Sequence, residues 1–230
     1  MRPLRPLYVE TTIRCELADL WRLTQDPSCH ERWDLRFTRI THLPPEAGRT
    51  RFSYSTRVLP GLTIGGVGVT VGQRWRADGT CTSALRFGTR HPLSLIRSGS
   101  GYWRYVPTGA GIRFLTGYDY RPALAIADRV FRPLLGWATA WSFDRLRLWA
   151  ELGVSPRRAL LNAFTEVLGR VGAVALLALL CPLWTVVPAA LAAAILPPRP
   201  HTPAARRCLR RPPDRLGRKA PSTLDTLELS

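Results

Sequence analysis

The sequence predicts an α+β fold, a curved antiparallel sheet around one long C-terminal helix, followed by a hydrophobic membrane segment. Three observations predict it. Between residues 7 and 120, short runs rich in β-branched and aromatic residues are separated by Pro- and Gly-bearing turns too short for crossover helices. Over residues 123–152, apolar side chains recur at three- and four-residue steps. Over residues 171–196, the sequence VGAVALLALLCPLWTVVPAALAAAIL carries no charge.

Residues 7–14 alternate apolar and polar and form the first expected strand. Leu17, Leu20, Trp21 and Thr24 give helical spacing over 16–25, stopped at Asp26-Pro27 because the residue before a proline avoids the α region. A second short helix is expected over 28–33. Strand segments follow at 36–43, 50–59, 63–76, 81–87, 93–106 and 111–120. Their closing signals include Pro44-Pro45, Pro60-Gly61, Asp78-Gly79, His91-Pro92, Thr108-Gly109 and Arg121-Pro122.

Phe52, Tyr54, Thr56 and Val58 share one strand face, opposite Arg51, Ser53, Ser55 and Arg57. In the last strand Ile112, Phe114, Thr116, Tyr118 and Tyr120 align, with Arg113 and Asp119 opposite, so one sheet face is expected covered and the other wet. In the long helix the expected inward stripe is Leu124, Ala127, Phe131, Leu134, Ala138, Trp141, Leu148 and Leu152. Pro133 predicts a kink or break, and Gly153 with Ser155-Pro156 closes the helix.

The formal net charge is +17, and of the 33 basic residues only Lys219 is a lysine, an arginine bias that weakens any inference from charge to nucleic acid. No nucleic-acid module is visible, and the basic C-terminal stretch lacks interleaved aromatics. The five cysteines are odd in number and form no CxxC pair, which argues against a disulfide framework or a zinc site. Neither a metal nor another cofactor is expected.

As one helix, residues 171–196 would be about 39 Å long, against a hydrocarbon core of about 30 Å. The expected partition is a globular domain at 1–156, a membrane-embedded segment at 157–198 and a basic, disordered tail at 199–230. Membrane lipid is the expected partner of 171–196 and of the tail, whose arginines attract anionic headgroups.

Orientation sets a single span, which would part the two ends of the chain, in conflict with two signals. The eight basic residues after 196 place the C-terminus in the cytoplasm. The N-terminal residues carry no secretory signal, which places the domain there as well. Pro182 and Pro188 permit a kinked or hairpin segment with both ends on one side, although Asn162, Glu166 and Arg170 are costly in lipid.

The order of strand, two short helices, six strands and a long helix is the helix-grip arrangement. With YVETTI at its start, LADLWRLTQDPSCHERWD for the helix pair and GIRFLTGYDYRP before the last helix, the chain resembles the START-like, polyketide cyclase/dehydrase superfamily (SRPBCC) over about residues 7–151. The resemblance implies a deep cavity between sheet and long helix, used for lipids, sterols and polyketides.

The expected cavity residues are Trp33, Phe52, Tyr54, Phe114, Tyr118, Tyr120, Leu134 and Trp141. Gly65, Gly66, Gly68 and Gly72 leave one strand nearly bare, either to curve the sheet or to clear space. His30 and Asp34, four residues apart, form the best acid–base candidate, with Tyr118 as a third residue, although a surface salt link is the simpler reading. The leading expectation is a non-enzymatic domain that binds an apolar or amphipathic small molecule at a membrane. The alternative is a cyclase/aromatase-like enzyme.

Overall fold

The structure, a computed structural model, describes residues 6–46 and 49–221. The element order is β1 (Leu7–Ile13), α1 (Leu17–Gln25), α2 (Pro27–Trp33), β2 (Arg39–Glu46), β3 (Arg49–Leu59), β4 (Leu62–Trp75), β5 (Cys81–Gly88), β6 (Ile96–Thr108), β7 (Gly111–Pro122), α3 (Ala125–Leu152), α4 (Pro156–Leu180) and α5 (Leu183–Ile195). The strands form one antiparallel sheet in the order β1-β7-β6-β5-β4-β3-β2.

Asp26 caps α2 by accepting from the Ser28 N–H at 2.8 Å, and Pro27 occupies the first helical position, where its missing N–H costs nothing. The pair Pro44-Pro45 was expected to end β2. The strand instead continues through it as the sheet edge, with irregular pairing between Leu43 and Glu46. An edge strand accepts prolines because no neighbour needs their N–H.

Two expectations for α3 are corrected. Pro133 does not break the helix. Arg129, whose carbonyl loses its partner, and Pro133 itself both lie on the solvent side. The inward stripe is also displaced in part, for Trp141 and Leu148 are buried and Ala127, Phe131 and Ala138 half-buried as expected. Asp128, Gly136, Thr139, Phe143 and Leu146 are buried, whereas Leu124, Leu134 and Leu152 are exposed. Polar residues with dedicated partners hid this stripe. Asp128 accepts from the Tyr120 hydroxyl at 2.5 Å, and Ser142 accepts from the Leu35 N–H at 2.9 Å.

The core sits where the C-terminal half of α3 crosses β1 and β7. Phe114 stacks on Phe143 at 4.6 Å between centroids, and Val9, Ile13, Leu20 and Leu146 close around them. Trp33 is fully buried there, and its Nε1 donates to the Leu23 carbonyl at 2.9 Å.

The sequence after α5 was expected to be a disordered tail. Residues 199–221 instead pack onto the domain, while 222–230 lie outside the described residues. Leu209 pairs with Glu10 as an added antiparallel bridge on the edge of β1. The fully buried Asp144 carboxylate accepts from the Ala204 N–H at 2.8 Å and from Arg207 at 2.9 Å. Across the sheet, Arg113 binds Glu10 through Nε at 2.9 Å and Nη2 at 3.0 Å, and binds Asp214 at 2.8 Å. This strap covers part of the face expected to be wet, so β1 is buried on both sides.

The uncharged stretch is two helices rather than one. Helix α4 ends at Leu180, α5 begins at Leu183, and the two pack together as a hairpin.

Candidate functional site

The register of the sheet builds the site. Phe52 lies opposite Gly68, and Tyr54 opposite Gly66. A Cβ on either glycine would sit under 3.0 Å from the facing ring. Tyr118 likewise faces Gly101. These glycines let aromatic rings lie flat across a neighbouring strand instead of standing up into the interior. Gly72 differs, because nothing lies within 4 Å of its would-be Cβ and it falls at a register shift between β4 and β5. It serves sheet curvature.

The space left above the flattened rings is a cavity of about 320 Å³. Its walls come from α1, α2, strands β2–β7 and Leu135 of α3. Of the expected cavity residues, the structure brings Phe52, Tyr54, Tyr118 and Tyr120 into this wall. It does not bring the others. Trp33 and Phe114 are sealed in the core beneath Phe143, Leu134 is 57% exposed with its neighbour Leu135 facing inward, and Trp141 lines a separate groove beside α4. The face shared along β7 thus passes from core at Phe114, stacked on Phe143, to cavity at Tyr118, and α3 meets the strand again at Tyr120 through Asp128.

His30 lines the cavity and its Nε2 lies 3.1 Å from Asp34 Oδ2. Asp34 itself lies behind the wall, fully buried, held by Arg36 through Nε at 2.9 Å and Nη2 at 2.6 Å. Burial works to raise the Asp34 pKa, but the Arg36 charge and the bonds from His30 and Arg36 outweigh it and hold the carboxyl well below the usual range. Burial lowers the His30 pKa, against the pull of Asp34. The ring is therefore neutral at pH 7. An ionised carboxylate only accepts, so Nε2 carries the proton and Nδ1 keeps its lone pair.

Around His30 stand Trp33 at 4.9 Å, Trp103 at 4.8 Å and Phe37 at 5.2 Å between ring centroids. The Arg36 guanidinium lies 4.8 Å from the centre of the Tyr118 ring, facing the cavity with its charge already balanced by Asp34. Burial pushes the Tyr54 hydroxyl up to about 12.

Several lining residues went unread in the sequence: Phe37 after α2, Gln25 at the end of α1, Gln73 on β4, Phe87 on β5 and Trp103 on β6. Trp103 carries a further feature. Its Nε1 is buried and has no hydrogen-bond partner. Strand alternation with Tyr105 could have placed it inward, but nothing in the sequence marks an orphaned donor. Among the described residues, no group of three or more His, Cys, Asp or Glu side chains is placed to hold a metal.

No family model matches the chain. It is 47% identical over 170 residues to the uncharacterized membrane protein YndG of Bacillus subtilis (strain 168), a match that covers 71% of this chain and 63% of that relative. Among solved structures, the di-domain ARO/CYC StfQ from the steffimycin biosynthetic pathway superposes with TM-score 0.50 at 15% identity, over 63% of this chain and 50% of that one. A looser superposition, TM-score 0.47 at 15% identity, relates 60% of this chain to 81% of a STAR-related lipid transfer protein fragment from Xanthomonas axonopodis.

Proposed function

We propose, from the START-like fold as premise, that this chain binds one apolar or amphipathic small molecule in the cavity between sheet and helices while attached to a membrane. The observation that carries this reading is the cavity wall itself. A space of about 320 Å³ falls at the small end of ligand-sized pockets, and it is kept open by cross-strand glycines that hold Phe52, Tyr54 and Tyr118 against the sheet. Its polar groups include the neutral His30, the paired Arg36, the amides of Gln25 and Gln73 and the hydroxyls of Tyr54, Ser83 and Tyr118.

The ligand class supported is a largely hydrocarbon or aromatic body carrying polar groups that the hydroxyls and amides of the wall can meet. Attachment to a membrane is supported by the exposed apolar α4 and α5 and by the membrane-protein name of the Bacillus relative.

Purified full-length protein in detergent, titrated with the fluorescent probe 1-anilinonaphthalene-8-sulfonate, should show saturable one-site binding. Ser83→Phe, at a buried cavity position, should weaken it at least about tenfold while leaving the circular dichroism unchanged. Equal binding by both proteins would overturn the reading.

One observation favours a second reading, catalysis of the cyclase/aromatase kind. His30 and Tyr118 do face one cavity, with Asp34 fixing the imidazole tautomer from behind. The lone pair on His30 Nδ1 is then available as a general base toward a bound carbonyl compound. Conversion of a bound polyketide mimic by wild type and not by His30→Gln, at equal probe affinity, would establish it.

A further inference from the structure

The hairpin is inserted between two parts of one packed unit. Chain leaves the domain at Pro156, whose carbonyl accepts from Arg145 at 3.0 Å, and returns at residues 199–209, which are bound to Asp144, Ala140 and Glu10. The two legs are clamped where they meet the domain. Arg170 on α4 donates to the Leu196 carbonyl at 2.9 Å and the Pro197 carbonyl at 2.9 Å, and Glu166 accepts from the Arg199 N–H at 3.1 Å. Asn162 donates to the His201 carbonyl at 3.0 Å. The three residues that looked too costly for lipid are thus all committed to the returning chain.

Beyond this clamp nothing ionises until Arg199. Away from the face where the legs meet, side chains are bare: Leu179 is 82% exposed, Leu183 79%, Trp184 77% and Ile195 69%. A surface of this kind is not a soluble one.

Length then decides the geometry. Residues 171–180 span about 15 Å and α5 about 20 Å, whereas the hydrocarbon core is about 30 Å thick. Each leg reaches only about the midplane. At the turn, Pro182 has no N–H, the Cys181 N–H bonds the Leu177 carbonyl at 2.9 Å and the Thr185 N–H bonds the Pro182 carbonyl at 3.0 Å. At the clamp, exposed Arg199, Arg206 and Arg210 supply positive charge for anionic headgroups.

We propose that α4 and α5 form a re-entrant hairpin seated in a single leaflet of an anionic bilayer. The Glu166–Arg170–Arg199 clamp lies at headgroup level, the Cys181-Pro182 turn lies near the midplane, and the domain and strap stay on the same side. This inference rests on the proposed membrane attachment and specifies its mode. It also removes the conflict with the orientation signals, because both ends occupy one compartment.

The test uses the full chain expressed in a bacterial inner membrane, with Ala110→Cys in the β6–β7 turn and, separately, Arg211→Cys in the strap. Each is probed with a membrane-impermeant maleimide in intact spheroplasts and again after lysis. Both positions should label in the same one of the two conditions, with the same protection factor. Labelling in opposite conditions would overturn the hairpin while leaving membrane attachment standing. Recovery of the chain in the soluble fraction, as monomer or as a dimer buried through α4 and α5, would overturn attachment and hairpin together. Depth is read independently by attaching an environment-sensitive fluorophore to native Cys181. Lipid quenchers near the acyl-chain ends should quench it most, and stronger quenching by headgroup-level quenchers refutes midplane placement. Leu179→Glu with Leu183→Glu should cut the membrane-bound fraction at least about tenfold; unchanged partition counts against lipid as the occupant.

Discussion

At the scale of single residues, the His30–Asp34–Arg36 cluster ties the cavity wall to acidity. The folded state favours neutral His30, so an unfolded chain takes up a proton that the fold refuses. The stability from this residue is complete above about pH 6.5 and is lost as pH falls below it, by up to about 1.4 kcal/mol per pH unit for one proton. Asp34, held low in the fold, contributes stability above about pH 4 that is lost only on stronger acidification. The unfolding midpoint of the full chain in detergent should therefore drop between pH 7 and pH 5. His30→Gln, which keeps a donor toward Asp34 but cannot titrate, should flatten that slope. Equal slopes for the two proteins would refute the assignment. The pairing of His30 with Asp34 was legible from their spacing. The part played by Arg36 was not, because a guanidinium two residues after a carboxylate reads as an ordinary surface contact.

At the scale of secondary-structure elements, β4 shows what the glycines do. Gly68→Ala places a methyl group inside the Phe52 ring and forces that ring up into the cavity, whereas Gly72→Ala meets nothing. The first should cost about 1–3 kcal/mol and weaken probe binding severalfold; the second should leave both nearly unchanged. Thermal unfolding and titration of the two variants check this, and a Gly68→Ala protein with full affinity would show that the ring has another place to go. The sheet itself was readable, because turn residues and alternation fixed its strands and put Phe52, Tyr54 and Thr56 on the cavity face. For α3 the helix was readable but its facing only in part, right at Trp141 and Leu148 and wrong at Leu124, Leu134 and Leu152. Outward Ile126, Val130, Leu134 and Trp137 compete with an inward stripe that contains Asp128, Thr139 and Ser142, and periodicity alone rewards the more hydrophobic side.

At the scale of the whole molecule, the strap is the feature that sequence patterning concealed. A segment dense in arginine has the composition of a solvated tail, and only the fold shows the buried Asp144 carboxylate that takes Arg207 and the β1 edge at Glu10 that takes the Leu209 backbone. Removing residues 199–230 takes Arg207 and the Ala204 N–H from the buried Asp144, leaving it Arg147, and takes from Arg104 its bond to the Lys219 carbonyl at 2.9 Å and its bond to the Leu216 carbonyl. Stripping one partner from a buried charge costs about 3–5 kcal/mol. At about 2–4 °C per kcal/mol for a chain of this size, the midpoint should fall by more than about 6 °C. A truncated protein that melts with the full chain would show that the strap only rests on the sheet.

The Leu209–Glu10 bridge has a bearing on how the protein can be released from its support. A protease that nicks the chain once, on either side of the hairpin, frees nothing, since the severed end is still gripped by hydrogen bonds to α3 and β1. Shedding into solution takes two cuts, and the hairpin would then be left behind as a peptide while the remaining fragments stay folded around each other.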